Sequence, residues 1–179
     1  MAVSRPILSG IANLKAAPTM QRPRLVLCLL AILVMALSLA PSWAHLLEAG
    51  PRIGIWPPAL WREATVFNAQ FMWFAIVGGP LDVAAILFGA ALAFVLRREP
   101  APFRWALAAT VLFAISLAVW LAMVAPANAE LATWARGPIP GDFASVRDRW
   151  ESGHIAMAVI KLAGLAAGVL ASLTANRSA

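Results

Sequence analysis

The stretch LVLCLLAILVMALSLAPSWAHLLEAG, residues 25–50, decides the fold. Between 25 and 47 the only side chain that titrates near neutrality is His45, and Glu48 follows three residues later. A helix crosses the hydrocarbon of a bilayer with about 20 predominantly apolar residues, so this run is long enough to span. It ends on a histidine and a carboxylate that share one helical face, and that pair is a lead to function.

The rest of the chain repeats the pattern. Residues 67–96, 103–125 and 153–174 are three further apolar segments of spanning length. The 179 residues are 62% hydrophobic and 12% charged, with a mean hydropathy of +0.81. A soluble domain is roughly half apolar and one quarter charged, so the composition points to an integral membrane protein. The expectation is an all-α bundle of four transmembrane helices, with spans near 25–47, 76–96, 103–125 and 153–174. Residues 1–24 read as a basic, mostly disordered cytoplasmic tail, and 175–179 as a short C-terminal tail.

The net charge of +6 does not signal nucleic acid. The basic residues flank apolar runs, and no Lys/Arg cluster is interleaved with aromatics. Arg5, Lys15, Arg22 and Arg24 precede the first span, Arg97, Arg98 and Arg104 link the second to the third, and Arg177 follows the fourth. The two other loops balance base with acid. The positive-inside rule then places both termini in the cytoplasm, in the inner membrane of a bacterium. Trp43, Trp56, Trp61, Trp134 and Trp150 fall at or beyond span ends, as an interfacial aromatic belt requires. A competing reading takes LAPSWA, residues 39–44, as a signal-peptide cleavage site; the long basic region and the long apolar run weigh against it. Cys28 is the only cysteine, which rules out an internal disulfide and a Cys-rich zinc site.

Polar groups inside the spans are the next lead. GGPLD, residues 78–82, puts a proline after two glycines, so the second helix is expected to kink or break there, with 67–75 extending the helix outside the bilayer. Asp82 then lies about 9 Å below the outer boundary, and Lys161 of the fourth span about 12 Å below it, by the helical rise. Opposite charges at similar depth pair rather than face lipid. Asp82–Lys161 is read either as a structural ion pair or as a binding or proton-handling pair. On the fourth span Trp150, His154, Met157, Lys161, Gly164 and Gly168 form one stripe, and GLAAG, residues 164–168, lets a neighbouring helix approach closely. That stripe should face the bundle interior.

His45-x-x-Glu48 closes the first span, and Glu151-x-x-His154 opens the fourth at the same membrane face. Two His and two Glu suit one divalent metal, and facing histidines suit a haem; both stand as alternatives to a site without cofactor. The plainer alternative has these groups bonded to loop backbone or to Arg52 and Arg149. No P-loop, nucleophile elbow or dinucleotide glycine motif is present, which excludes the common nucleotide chemistries.

Three stretches carry a family resemblance: AHLLEAGPR after the first span, APANAELATW after the third and RDRWESGH leading into the fourth. Over residues 25–173 the chain resembles the small four-helix membrane proteins of the anthrone-oxygenase-like family. It departs from the family pattern at Gly50 and Arg52, where Pro and Lys are expected, and in PAN at 126–128, where P-V-N is expected, with Asn128 kept. The resemblance implies that Asn128, Arg149, Trp150 and His154 belong to one outer-side site, joined by His45. It also implies oxidation of a phenolic anthrone- or quinol-like substrate by O2 without metal or flavin. His154 is the first choice of base and His45 the second, because a histidine titrates near neutrality. The contrasting expectation is a non-catalytic bundle: a binding module, a transporter-like protein or an accessory subunit. The expected partners are the lipid bilayer and a hydrophobic aromatic small molecule, with a homo-oligomer as an allowed assembly and no nucleic acid.

Overall fold

The computed structural model describes residues 21–68 and 72–177. Most of the basic tail expected at 1–24 lies outside the described residues. Helix α1 runs Arg22–Gly54, opened by Pro23 in its first turn, where a missing N–H costs nothing. The short α2, Pro58–Arg62, continues into a π-turn at Glu63–Phe67. α3 is Met72–Leu96 and α4 is Pro100–Val119. A second π-turn, Trp120–Val124, joins α4 to α5, Ala125–Leu131, and α6 runs Phe143–Arg177. No strand occurs among the described residues, and four helical stretches are long and apolar enough to cross a membrane. The protein is a multi-pass, all-α four-helix bundle.

Two boundaries differ from the sequence expectation. Phe67 belongs to the π-turn after α2, and Asn68 leaves helical geometry, so 67–75 is not one outward extension of α3. The C-terminal tail expected at 175–179 is helical through Arg177, because α6 carries on past the span. α3 itself passes through Pro80 as one helix. Pro80 has no N–H to give the Ile76 carbonyl, and the helix continues past it without a break.

α1 packs on α6 and α3, and α4 packs on α3 and α6, which closes a four-membered ring of helices. Its core is layered. At the end that carries Arg22 and Arg177, Cys28, Ala31, Leu92, Leu96, Ala106, Ala171 and Ala175 meet. Above them Met35, Ala85, Ala109, Phe113 and Ala167 form the middle layer. Small residues bring the backbones together, since lipid offers no hydrophobic drive between helices. Gly164 has Phe113 only 2.8 Å from where a Cβ would stand, and Gly168 has the Met35 sulfur at 2.8 Å. The predicted stripe of α6 therefore does face the interior.

α6 has 35 residues, about 52 Å at 1.5 Å per residue, against roughly 30 Å of hydrocarbon. The excess emerges at the end of the bundle away from Arg22 and Arg177 and builds a cap with α2 and α5. There Trp61, Val124, Leu131, Phe143, Val146 and Trp150 form the third core cluster. The Trp120–Val124 π-turn precedes Pro126, which cannot donate to the carbonyl four residues back; the wider turn absorbs that mismatch. Gly153 of α6 seats against it, with the Val124 side chain 2.7 Å from the Cβ position. Arg62 binds the carbonyls of Ala135, Gly137 and Pro138 and ties the 132–142 loop to α2.

Candidate functional site

Between the middle layer and the cap lies a cavity of about 160 Å³. α1 contributes Pro41, Ser42 and His45; α3 contributes Phe74, Gly78, Gly79 and Asp82. Leu117, Trp120 and Asn128 come from the α4–α5 stretch, and Trp150, His154, Met157 and Lys161 from α6. The outer His cluster and the intramembrane ion pair, two separate leads in the sequence, border one space.

The deep end is polar and hydrogen-bonded across three helices. Lys161 Nζ lies 2.6 Å from Asp82 Oδ1 and donates also to Ser42 Oγ at 3.0 Å and to the Ser38 carbonyl at 3.2 Å. Ser38 Oγ donates to the same Asp82 oxygen at 2.5 Å. The Lys161 and Asp82 side chains are 2% and 5% exposed. This network joins α1, α3 and α6. A lone charge at this depth costs several kcal/mol, on the order of its translocation penalty, and pairing removes most of that cost.

The end toward the cap is aromatic. The His45 and His154 rings stack with centroids 4.0 Å apart and planes 21° from parallel. Trp150 presents its ring edge-on to both, at 5.1 Å from His45 and 4.3 Å from His154. Phe74 stands at right angles to His45 at 5.1 Å. Trp150 is held in turn by its Nε1, which donates to Asn128 Oδ1 at 2.8 Å. His154, His45, Asn128 and Trp150 thus line one cavity. Arg149 does not join them: one residue before Trp150, it turns to the outside of α6 and pairs with Glu130 at 2.6 Å.

The matched His/Glu pairs do not form a four-ligand set. Glu151 is buried, and its Oε1 accepts from Arg52 Nε at 2.8 Å and from Trp61 Nε1 at 2.7 Å. Glu48 is half-buried and does not border the cavity. Among the described residues no group of three or more His, Cys, Asp or Glu is placed to hold a metal ion. A haem between His45 and His154 also lacks room, because the two rings touch face to face and leave no gap for a macrocycle.

Arg52 takes the part that the plainer alternative gave it, as the partner of Glu151. It is fully buried, bonds Glu151 and Thr65, and lies over the rings of Trp56, Trp61 and Trp150 at 5.1, 5.3 and 5.4 Å. Each such cation–π contact contributes about 0.5–2 kcal/mol. The signal was in α1: Cys28, Ala31, Met35, Ser38, Ser42, His45, Ala49 and Arg52 alternate three and four apart, and all are buried. A heptad seam carrying Ser38, Ser42, His45 and Arg52 is a polar face aimed inward.

Comparison of the chain with protein-family models, with curated proteins and with solved structures finds no match.

Proposed function

We propose that this integral membrane protein binds the ring of a phenolic, bilayer-soluble molecule in the outer half of the bundle and passes its electrons to O2, as the anthrone-oxygenase-like resemblance implies. The bacterial inner membrane, with both termini in the cytoplasm, is part of the same proposal. One observation carries it: two histidines, Trp150, Phe74 and Asn128 converge on a single cavity that also reaches a buried Lys–Asp pair. An aromatic slot with a few placed polar groups is the usual build of a small-molecule site.

Cavity size narrows the substrate. Sites for drug-sized ligands hold roughly 300–1,000 Å³, whereas an engineered cavity of about 150 Å³ takes benzene. At about 160 Å³ the space suits one ring rather than three. A monocyclic quinol fits better than a tricyclic anthrone. His154 takes the phenolic proton, with His45 stacked behind it and Trp150 fixing the ring plane. The quinol then gives two electrons and, in all, two protons to O2, yielding the quinone and hydrogen peroxide. No metal or flavin is required by that balance.

Oxygen uptake by the purified full chain, with a single-ring quinol and with an anthrone, tests this. The quinol is consumed with matching peroxide release, and His154→Ala abolishes the reaction. Absence of uptake, or uptake unchanged in the variant, overturns the catalytic reading. A second reading, a non-catalytic binding module, is favoured by the Lys161–Asp82–Ser38–Ser42 network, which ties the ammonium down with three bonds and suits recognition without chemistry. Saturable quinol binding without oxygen uptake selects it.

A further inference from the structure

Of the fourteen described residues around the cavity two are exposed: Asn128 at the cap end and Gly79 on the flank of α3. They mark its openings. Gly79 is seven residues inward from Met72, the start of α3, and 17 residues, about 26 Å of helix, from Leu96 at the other end. With roughly 30 Å of hydrocarbon, that places it just inside the outer boundary of the lipid. The surface around it is apolar: Ile76, Val77 and Val83 of α3 are exposed, as is Leu121 beyond Trp120. Nothing lies within 4 Å of where a Cβ on Gly79 would stand. Next to it Gly78 comes only within 3.8 Å of Pro41. Gly78 is closed off by that contact, so the missing side chain of Gly79 alone leaves a gap in the wall, and the surface beside that gap is apolar.

From this geometry we infer that Gly79 forms a lateral mouth, and that the ligand is a single-ring phenol carrying an alkyl tail, its ring in the cavity and its tail threaded past Gly79 into the outer leaflet. The space behind the mouth holds one ring and no chain. A tail attached to that ring must leave through an opening, and the one at Gly79 exits into hydrocarbon. The inference rests on the reading of the cavity as a phenol site and adds the form of the ligand and its route.

An equilibrium measurement tests it, because blocking a mouth changes affinity only when the bound ligand occupies that mouth. Tritiated decyl-substituted and methyl-substituted para-hydroquinones are titrated anaerobically onto the full chain in phosphatidylcholine nanodiscs, with empty nanodiscs subtracted. Gly79→Leu is a helix-compatible change that fills the gap. It weakens the decyl probe about tenfold or more, the effect of one overpacked side chain, and leaves the methyl probe unchanged. Gly50→Leu on α1, equally exposed and open but remote from the cavity, leaves both unchanged. Equal loss for the two probes, no loss for the decyl probe, or no saturable decyl binding to the unmodified chain overturns the inference. Gly79-dependent binding without His154-dependent oxygen uptake keeps the mouth and removes the oxidase. His154-dependent uptake indifferent to Gly79 does the reverse.

Discussion

Replacing Asp82 by Leu, Lys161 by Met, and both together, tests what the buried pair contributes to the fold. Asp82→Leu removes a 2.6 Å contact to the ammonium and the 2.5 Å bond from Ser38 Oγ. Lys161 then keeps only Ser42 Oγ and the Ser38 carbonyl, both uncharged. Hydrogen bonds to charged groups are each worth about 1.5–3 kcal/mol, and removing one partner of a buried pair costs about 3–5 kcal/mol in all. No discount for solvent applies, since neither side chain is more than 5% exposed. Lys161→Met leaves the Asp82 carboxylate with Ser38 Oγ and should cost a similar amount. The double variant has no charge left to strand. It should lie within about 1 kcal/mol of the unmodified chain, or above it, as apolar replacements of buried pairs often do. The two substitutions therefore couple by about 3 kcal/mol or more. Reversible unfolding in mixed dodecyl sulfate and maltoside micelles, followed by Trp fluorescence, measures the cycle. Additive losses, or single variants within about 1 kcal/mol of the unmodified chain, refute the reasoning, since an unpaired charge among helices should not be tolerated.

Two further outcomes follow from the fold. Gly164→Leu, which drives a side chain into Phe113, should destabilise the bundle by about 1–3 kcal/mol in the same assay, while Gly50→Ala, in open space, should be neutral or stabilising by about 0.4–1 kcal/mol. In a Cys28→Ala background, a cysteine at exposed Gly141 should react with a membrane-impermeant thiol reagent added to intact cells and one at Arg98 should not; the reverse pattern overturns the N-in/C-in topology.

Much of the bundle is written in local chemistry. Apolar runs of spanning length specify four helices whatever their neighbours, because a backbone in lipid must satisfy its own hydrogen bonds. The pairing of Asp82 with Lys161 was also legible, since helical rise gives depth and depth restricts the choice of partner. The stripe from Trp150 to Gly168 followed from helical period alone. The His/Glu pairs were less transparent. Identical i, i+3 spacing in α1 and α6 suggested a symmetric set, but i and i+3 lie about 60° apart around a helix. That angle lets His45 face His154 while Glu48 sits to one side, and it turns Glu151 to Arg52 and Trp61. Arg149 was misplaced for the same reason: its neighbour Trp150 faces the cavity, and one residue of rotation carries Arg149 to Glu130.

The sequence by itself therefore determined the number of spans, their order, their depth markers and the inward face of α6, all properties of single helices in a bilayer. Only the tertiary structure decided that the histidines stack, that Glu151 belongs to a caged arginine, and that the His pair and the Lys–Asp pair share a cavity. Those facts depend on how helices are rotated and spaced against one another. Rotation and spacing are set by close contacts between small residues and neighbours far away in the chain, Gly164 on Phe113, Gly168 on Met35 and Gly153 on Val124 among them.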